Sequence, residues 1–370
     1  MNSRADMTNT DKPTPALIDL SRKITWEFKT GDGDSRRTRK SLLKMPTLGE
    51  LLGSQFRDRK HLLFPWLREQ ENCMIYAGTG VGKSLFALSA ALAVAGSGEF
   101  LGWPSERREK GEGWRVLYVD GEMHIADVQE RAAMLLEASP KTDRELASSN
   151  LSILARQHQD PSASFPSITD PEGMKFFLGC IESTKLDLVI FDNFTTLGEV
   201  EDENSAASFN AIQEFLLKLK VQGVATILIH HAGKGGDFRG SSKLAATFET
   251  IIKLDRLSDS TAPGEARFRV CWDKVRAGGP KRVVKEVVAS LTASAFGDRQ
   301  EWTHETAALE RLTEVRELLS EGAVINKKEI ADYFGVSKTM AGRYVDRGTE
   351  LGLWTTHQVN RWFGRGRPDA

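Results

Sequence analysis

The sequence has little cysteine, no long apolar run and almost no net charge. Its three cysteines, Cys73, Cys180 and Cys271, lie far apart and show neither disulfide-framework nor metal-ligand spacing. The longest apolar stretch, residues 85–95, is too short for a membrane-spanning helix. We also expect no signal peptide, because no apolar segment of that type follows the charged amino terminus. These features predict free thiols, a cytoplasmic location and no membrane partner.

Charge and length limit the function classes further. The 370 residues include 50 Lys and Arg against 51 Asp and Glu, so only a local basic surface would attract nucleic acid. We predict three regions, which are a flexible basic leader over residues 1–45, an α/β domain over 46–300 and an α-rich domain over 301–370. The first 60 residues carry 13 basic and 8 acidic side chains. This excess suits either a nucleic-acid contact or a solvated tail.

From residue 73 onward, apolar strands alternate with helical segments, a pattern typical of a mostly parallel sheet flanked by helices. The predicted strands cover residues 74–77, 116–119, 151–154, 188–191 and 225–229. The predicted helices cover residues 84–95, 126–136, 171–183 and 205–221. Later strands over 250–254, 266–272 and 283–288 are expected to extend the sheet in antiparallel fashion. Residues 46–70 predict a short helical lead-in.

A phosphate-binding loop follows the first strand and opens the first helix. Residues 77–84 read Ala-Gly-Thr-Gly-Val-Gly-Lys-Ser, with Ala77 at a position where glycine is usual. Backbone N–H groups of such a loop surround a β-phosphate, Lys83 reaches the β- and γ-phosphates, and the Ser84 hydroxyl binds magnesium. The sequence therefore predicts ATP and Mg²⁺ as ligands. The residues expected to hold the nucleotide are Gly78, Thr79, Gly80, Val81, Gly82, Lys83 and Ser84.

Two further acidic positions complete the predicted chemistry. Asp192 ends an apolar strand, where a carboxylate holds the magnesium water shell from the far side. Many ATPases place a glutamate directly after this aspartate, but here the residue is Asn193, so the base must come from elsewhere. Glu122 follows the strand over 116–119 and is the candidate that would orient or deprotonate the attacking water. Asp120 is its alternative.

This ordered set of motifs resembles the RecA/DnaB superfamily of P-loop ATPases, and most closely the plasmid RepA-type hexameric replicative helicases. The matching stretches are the phosphate loop and residues 119–123, 186–192, 229–234 and 239–242, within about 70–290. The resemblance implies a RecA-like fold, a homohexamer and Glu122 as the catalytic carboxylate. It also implies that His231, or else His230, senses the γ-phosphate.

The resemblance implies two basic elements as well. Lys234 and Arg239 lie in a Gly-rich loop that would grip a nucleic-acid backbone, unless it is an ordinary surface loop. Lys274 and Arg276 lie two residues apart on a strand, so they point the same way. They would reach the nucleotide of a neighbouring subunit, where an arginine supplied in trans stabilises charge on the phosphoryl group. A solvated basic pair is the alternative.

The carboxyl-terminal region has the pattern of a helix-turn-helix. Helices are predicted over 305–319, 327–334 and 337–351, with Asn326 and Glu329 as a capping box and Ser337 as a second cap. With residues 353–356, the region resembles a winged helix-turn-helix. Its predicted core residues are Ile330, Phe334, Val336, Met340, Tyr344 and Val345. It would present Lys338, Thr339, Arg343 and Arg347 to DNA, or else dock a protein.

Together, these features predict an ATP-driven nucleic-acid motor. The leading hypothesis is a hexameric DNA helicase of a plasmid, phage or other mobile element, acting on single- or double-stranded DNA. The alternative is an ATP-dependent DNA-binding regulator or recombination accessory without helicase activity. A small-nucleotide kinase is disfavoured, because the sequence shows no acceptor-pocket or lid signature.

Overall fold

The computed structural model describes residues 23–30, 37–108, 112–198, 206–233, 242–257, 265–276, 284–294 and 299–364. The chain divides into two compact units, Met1–Arg59 and Lys60–Ala370. In the first unit, β1 (Lys23–Thr30) and β2 (Arg37–Lys44) pair antiparallel, with Lys23 opposite Lys44. The predicted flexible leader therefore contains a hairpin, while residues 1–22 and 31–36 of it lie outside the described residues.

The predicted helical lead-in is helical only at its start. Helix α1 (Leu48–Gly53) is preceded by its N-cap residue Thr47, which forms a capping box with Glu50. A two-stranded hairpin, β3 (His61–Leu63) with β4 (Leu67–Arg68), replaces the second half of the prediction. Pro65 lies between these strands, and proline cannot continue a helix interior.

The second unit is built on one large sheet. In the described residues its strand order is β15-β14-β13-β12-β5-β11-β10-β8-β9. The strands from β12 to β9 in that order run parallel to their neighbours, and β13, β14 and β15 extend the sheet antiparallel. The strands are β5 (Asn72–Ala77), β8 (Val116–Asp120), β9 (Leu151–Ala155), β10 (Leu188–Asp192), β11 (Ala225–His231), β12 (Thr250–Arg256), β13 (Ala266–Val275), β14 (Val287–Ala293) and β15 (Gln300–Thr306). A small hairpin, β6 (Glu99–Phe100) with β7 (Trp103–Pro104), stands apart from it.

Helices cover both faces of this sheet, because alternate residues of each buried strand point to opposite sides. On β5, Cys73, Ile75 and Ala77 join the core under α2, whereas Met74 and Tyr76 join the core under α5 to α8. The helices are α2 (Lys83–Ala95), α3 (Ile125–Glu137), α4 (Arg144–Asn150), α5 (Pro171–Thr184), α6 (Phe194–Gly198), α7 (Ala206–Val221) and α8 (Ser242–Thr247). None of the helices in the described ranges is long and apolar enough to cross a membrane.

The structure confirms the predicted alternation of strands and helices and corrects some of its details. The first strand of the predicted antiparallel extension, β12, joins β5 in parallel. The third begins at Val287 rather than at residue 283, and β15 and α4 have no counterpart in the prediction. The three cysteines are free. Burial, with Glu286 and Asp255 nearby, raises the pKa of the Cys271 thiol to about 12.

Four helices follow β15 and enclose a core of their own. They are α9 (Ala307–Glu321), α10 (Lys327–Phe334), α11 (Lys338–Glu350) and α12 (Thr356–Gly364). The predicted caps are present, since Asn326 accepts from the N–H groups of Lys328 and Glu329 and Ser337 accepts from that of Met340. Met340, predicted for the core, is instead 38% exposed.

The residues predicted for the wing, 353–356, form no strand in the structure and lead directly into α12, which starts at Thr356. The Thr355 hydroxyl accepts from the N–H of Gln358 at 3.2 Å, and the Gln358 side chain accepts from the N–H of Thr355 at 2.7 Å. This reciprocal capping box starts α12 where a wing would need extended chain. Up to residue 364, the described chain has no strand after α11. The residues after 364 lie outside the described ranges.

Gly348 provides a test of how this helical region packs. A Cβ at Gly348 would overlap the ring of Trp354, which is buried and donates from Nε1 to the carbonyl of Val345 at 3.0 Å. Because a packed core resists added volume, Gly348→Ala should destabilise the region by about 1–3 kcal/mol. Urea denaturation and hydrogen exchange of the α11 amides would measure the loss.

Gly342→Ala is the matched control in the same helix. A Cβ at Gly342 would meet the Lys327 side chain at an ordinary distance of 3.7 Å. Since alanine is the better helix former, this change should be neutral or stabilising by up to about 1 kcal/mol. Equal stability of the two variants would contradict the described packing of α11 on Trp354.

Candidate active site

Most of the side chains predicted to carry the chemistry meet at the carboxyl edge of the parallel sheet. This is the edge at which open α/β sheets bind ligands. A cleft of about 610 Å³ lies there, between the phosphate loop, α3 and the ends of β8, β10 and β11. Its lining includes Lys83, Ser84, Glu122, Asp192, Asn193 and His231.

Two residues of the phosphate loop adopt backbone conformations that favour glycine. Gly80 and Gly82 have φ angles of +71° and +115°, in the left-handed region that other residues rarely adopt. A Cβ at Gly82 would also lie 3.0 Å from the ring of Phe268 and 3.1 Å from Cβ of Ala266. The loop is therefore packed closely against β13, directly before α2 begins at Lys83.

Lys83 is the buried cation of the cleft. Its Nζ donates to the carbonyl oxygens of Ala77 and Gly78 at 3.2 and 3.0 Å and lies 3.2 Å from Nδ1 of His231. Burial lowers the pKa of Lys83, against the opposing charges of Asp192 and Glu122. An incoming phosphate would give this desolvated ammonium an anionic partner in place of two neutral carbonyls.

Asp192 and Ser84 form a pair of oxygen ligands suited to Mg²⁺. Burial raises the pKa of Asp192, while hydrogen bonds donated by Tyr118, at 2.6 Å, and by Ser84 act in the opposite direction. Mg²⁺ prefers such hard oxygens and takes its remaining ligands from water and substrate phosphates. In the described ranges no group of three or more His, Cys, Asp or Glu could hold a metal alone.

The geometry favours Glu122 over Asp120 as the carboxylate that acts on water. Asp120 is 2% exposed, and its Oδ1 accepts from the N–H groups of Glu122 and Met123 at 2.9 and 2.6 Å. Burial raises its pKa. Asp120 is thus occupied in holding the turn after β8, whereas the Glu122 side chain is half exposed at the cleft.

The alternation of β11 separates the two candidate histidines. His231 shares the face of Ile227 and Ile229 and lies among Lys83, Asn193 and Glu122. His230 is buried on the other face, where its ring packs edge-on against Phe194 with centroids 5.3 Å apart. The cleft therefore contains His231, and the sensor role predicted for it would fall to that residue.

Two side-chain contacts at the carboxyl edge of the sheet, made by Asn193 and Arg256, were not predicted from the sequence. Asn193 was set aside because it is not a glutamate, yet its Nδ2 donates to Oε1 of Glu122 at 2.6 Å and lies 3.2 Å from Nε2 of His231. Arg256 ends β12 beside the phosphate loop, where its Nη2 donates to the Gly80 carbonyl at 2.7 Å. Both residues stand at the carboxyl ends of parallel strands, and that position was the available signal.

Lys274 and Arg276 lie at the opposite edge of the sheet. Val275 pairs with Thr250, and Thr250 pairs with Cys73 near the start of β5, whereas the phosphate loop follows the end of β5. Five residue steps along a strand span about 16 Å. Lys274 donates to the carbonyl of Ala245 at 2.6 Å, and Arg276 lies 3.3 Å from Oε1 of Glu249. The structure does not bring this pair to the cleft of its own chain.

The predicted nucleic-acid residues divide into two groups. Lys234 and Arg239 lie outside the described residues. Lys338, Arg343 and Arg347 are exposed on α11, where Arg347 also pairs with Glu350 at 2.8 Å. The helix thus presents cations to solvent as expected, and their role stays a prediction.

The P-loop, the buried carboxylate at the end of β10 and the mostly parallel sheet define a RecA-like P-loop ATPase fold. Residues 38–237 match the model of the family described as AAA domain. The match covers more than half of the chain, so the chain belongs to this family. A KaiC-like protein of the hyperthermophilic archaeon Pyrococcus horikoshii OT3 is similar at 15% identity and a TM-score of 0.43, over 65% of this chain and 93% of that one. A search of curated proteins found no match.

The division of labour between the two carboxylates can be tested. Glu122→Gln should keep ATP binding but slow hydrolysis by about a hundredfold or more, as expected when a general base is lost. Asp120→Asn keeps the Oδ1 acceptor that holds the turn, so its turnover should stay close to that of the unmodified protein. Phosphate release and binding of a fluorescent ATP analogue would measure the two effects separately.

Lys83→Ala is the reference for a lost phosphate contact, and it should weaken binding as well as abolish turnover. The reverse ranking, with a slow Asp120→Asn and an active Glu122→Gln, would assign the base to Asp120.

Proposed function

We propose that the protein is an ATP-hydrolysing nucleic-acid motor that works as a ring of identical subunits. The observation that carries the ATPase part is the convergence of Lys83, Glu122, Asp192 and His231 on one cleft. The motor part rests on the motif order shared with RepA-type helicases. In its most specific form, the proposal is a hexameric DNA helicase that serves replication of a plasmid, phage or other mobile element.

The cleft residues divide the reaction among them. Lys83 would bind the β- and γ-phosphate oxygens, which are the anionic partners that its buried ammonium needs. Glu122 would accept a proton from the attacking water as its oxygen bonds to the γ-phosphorus and the bond from that phosphorus to the β–γ bridging oxygen breaks, which leaves ADP and inorganic phosphate. His231 would contact a γ-phosphate oxygen and report its departure to the chain that follows β11. Mg²⁺, held by Ser84 and Asp192, would neutralise charge on the phosphate oxygens.

The position of Arg276 supports a ring. Arg276 is 56% exposed in its side chain and lies at the edge of the sheet away from its own phosphate loop. If it touches a nucleotide, that nucleotide belongs to another copy of the chain. A head-to-tail arrangement of identical subunits supplies such a contact at every interface, and it forms a ring when the rotation between subunits closes.

A second function is favoured by the carboxyl-terminal helices. The turn between α10 and α11 and the exposed cations of α11 suit insertion into the major groove of duplex DNA. In this alternative, ATP binding would switch a DNA-bound regulator or recombination accessory, and no strand separation would follow.

The ring can be tested by mixing two defective variants. Lys83→Ala and Arg276→Ala should each be inactive, since a missing arginine contact costs about 10³-fold or more in related sites. In an equal mixture, about one interface in four joins an intact phosphate loop to an intact Arg276. ATPase activity should therefore return on mixing, as measured by phosphate release at concentrations that support assembly.

Arg144→Ala is the matched control, because Arg144 is an exposed arginine of α4 beside the far edge of the sheet. It should be active alone. Wild-type turnover by Arg276→Ala in assembled rings would show that Arg276 makes no essential contact with a neighbouring nucleotide. A fully active monomer would exclude the ring motor.

Contact between α11 and DNA can be measured on the full chain. Arg343→Ala should weaken duplex binding and reduce the salt dependence of affinity by about one unit of slope, as expected for one lost phosphate contact. Fluorescence anisotropy across a salt series measures both, with Arg144→Ala as the control.

Two patterns of ATPase stimulation separate the candidate functions. Stimulation by single-stranded DNA together with strand separation would support the motor. Stimulation by duplex DNA alone, without unwinding, would support the regulator. Unchanged duplex affinity in Arg343→Ala would assign α11 to a protein partner instead.

A further inference from the structure

We infer that Asn193 is a positioning residue that holds the Glu122 carboxylate and links it to His231. The inference deepens the proposed ATPase function and rests on it. Asn193 is 1% exposed and follows Asp192 directly, at the point where β10 gives way to α6. Its side chain lies between the candidate base and the candidate sensor.

The orientation of the Asn193 amide is fixed by its neighbours. Its Oδ1 accepts from the backbone N–H of Thr196 at 3.2 Å, and that group can only donate. Its Nδ2 therefore faces Glu122, at 2.6 Å from the acceptor oxygen Oε1. Reversing the amide would oppose donor to donor on one side and acceptor to acceptor on the other. Asn193 thus restrains one carboxylate oxygen and leaves the other for water.

The backbone of Asn193 is anchored as firmly as its side chain. Its carbonyl oxygen accepts from the N–H of Leu197 at 3.1 Å and from the Thr196 hydroxyl at 3.3 Å. Leu197 is buried in the core beneath α6. Glu122, by contrast, lies in a turn with a half-exposed side chain, so the amide supplies a restraint that this turn lacks.

His231 makes the link sensitive to the phosphate site. Nδ1 of His231 faces the Lys83 ammonium and Nε2 faces the Asn193 amide, both at 3.2 Å and both from donors. A neutral imidazole has one acceptor nitrogen, so it accepts from only one of the two at a time. When Lys83 turns to a phosphate, Nδ1 can carry the proton and Nε2 can accept from Asn193. Binding of the phosphate would then strengthen the series of hydrogen bonds from His231 through Asn193 to Glu122.

The predicted signature is a loss of kcat without a loss of binding. Asn193→Ala should lower kcat by about tenfold to a hundredfold, which is the cost of a misplaced catalytic group. The KM for ATP and the affinity for a fluorescent ATP analogue should stay near their wild-type values, because Asn193 holds the carboxylate rather than the phosphates. Asn150→Ala, the same change at the end of α4, is the control and should leave turnover unchanged.

A double-mutant cycle separates this role from general damage. If Asn193 acts through Glu122, then Asn193→Ala in a Glu122→Gln background should cost little more than Glu122→Gln alone. If the double variant instead loses kcat by the product of the two single losses, the inference is overturned. A raised KM with an unchanged kcat in Asn193→Ala would also overturn it. If Asn193→Ala does not fold, Asn193→Asp decides, since it keeps the acceptor for Thr196 but loses the donor to Glu122. Wild-type turnover in Asn193→Asp would also overturn it.

Failure of the proposed function gives different results. A wild-type protein without ATPase activity would refute the proposed function itself. An active wild type with an equally active Glu122→Gln would move the base elsewhere and remove the group that Asn193 is inferred to hold. A slow Glu122→Gln beside an unimpaired Asn193→Ala would refute the inference on Asn193 alone.

Discussion

A single desolvated charge organises the candidate site. The Lys83 ammonium is buried at the start of α2, close to two carbonyl oxygens, one imidazole and the carboxylates of Asp192 and Glu122. Burial disfavours its charged form, and a bound anion would restore the partner that water no longer provides. Burial also raises the pKa of Asp192. The charged forms of a cationic and an anionic group in the cleft would therefore both be stabilised by a ligand of opposite charge. A phosphate and a metal ion bound together would offset both effects of burial, since the phosphate would face Lys83 and the metal ion would face Asp192.

Strand alternation decides which side chains take part. The strands β5, β8, β10 and β11 end at one edge of the sheet, and residues of one parity face α2. Asp120, Asp192 and His231 have that parity, whereas His230 and Phe191 face the opposite core. A shift of one residue in any strand would exchange these sets. The register of the sheet therefore places Asp192 and His231, while the phosphate loop and the turn after β8 carry Lys83, Ser84 and Glu122.

Much of this could be predicted from the sequence, because its signals are local. The phosphate loop, the strand ending at Asp192 and the caps at Asn326 and Ser337 each occupy a few consecutive residues, and the structure has all of them. Contacts between distant segments could not be predicted in the same way. The bond from Asn193 to Glu122 joins residues 71 positions apart, and that from Arg256 to Gly80 joins residues 176 apart. The helix α12 was missed for a different reason, since its Thr355 to Gln358 capping box was present and unread.

Asn193 also bears on how a chain without a glutamate after Asp192 would place its candidate base. The base candidate lies in the turn after the neighbouring strand β8, whose last residue pairs with Asp192. Gly121 donates to the Asp192 carbonyl at 2.7 Å, so the turn that carries Glu122 is tied to the end of β10. A donor at the end of β10 restrains the direction of this carboxylate, and an amide supplies that donor without adding a negative charge beside Asp192. A glutamate at position 193 would add a fourth carboxylate to Asp120, Asp192 and Glu122, and like charges at such short distances resist ionising together. On this argument, asparagine at 193 and glutamate at 122 depend on each other. The glutamate supplies the candidate base, and the asparagine supplies the donor that orients it.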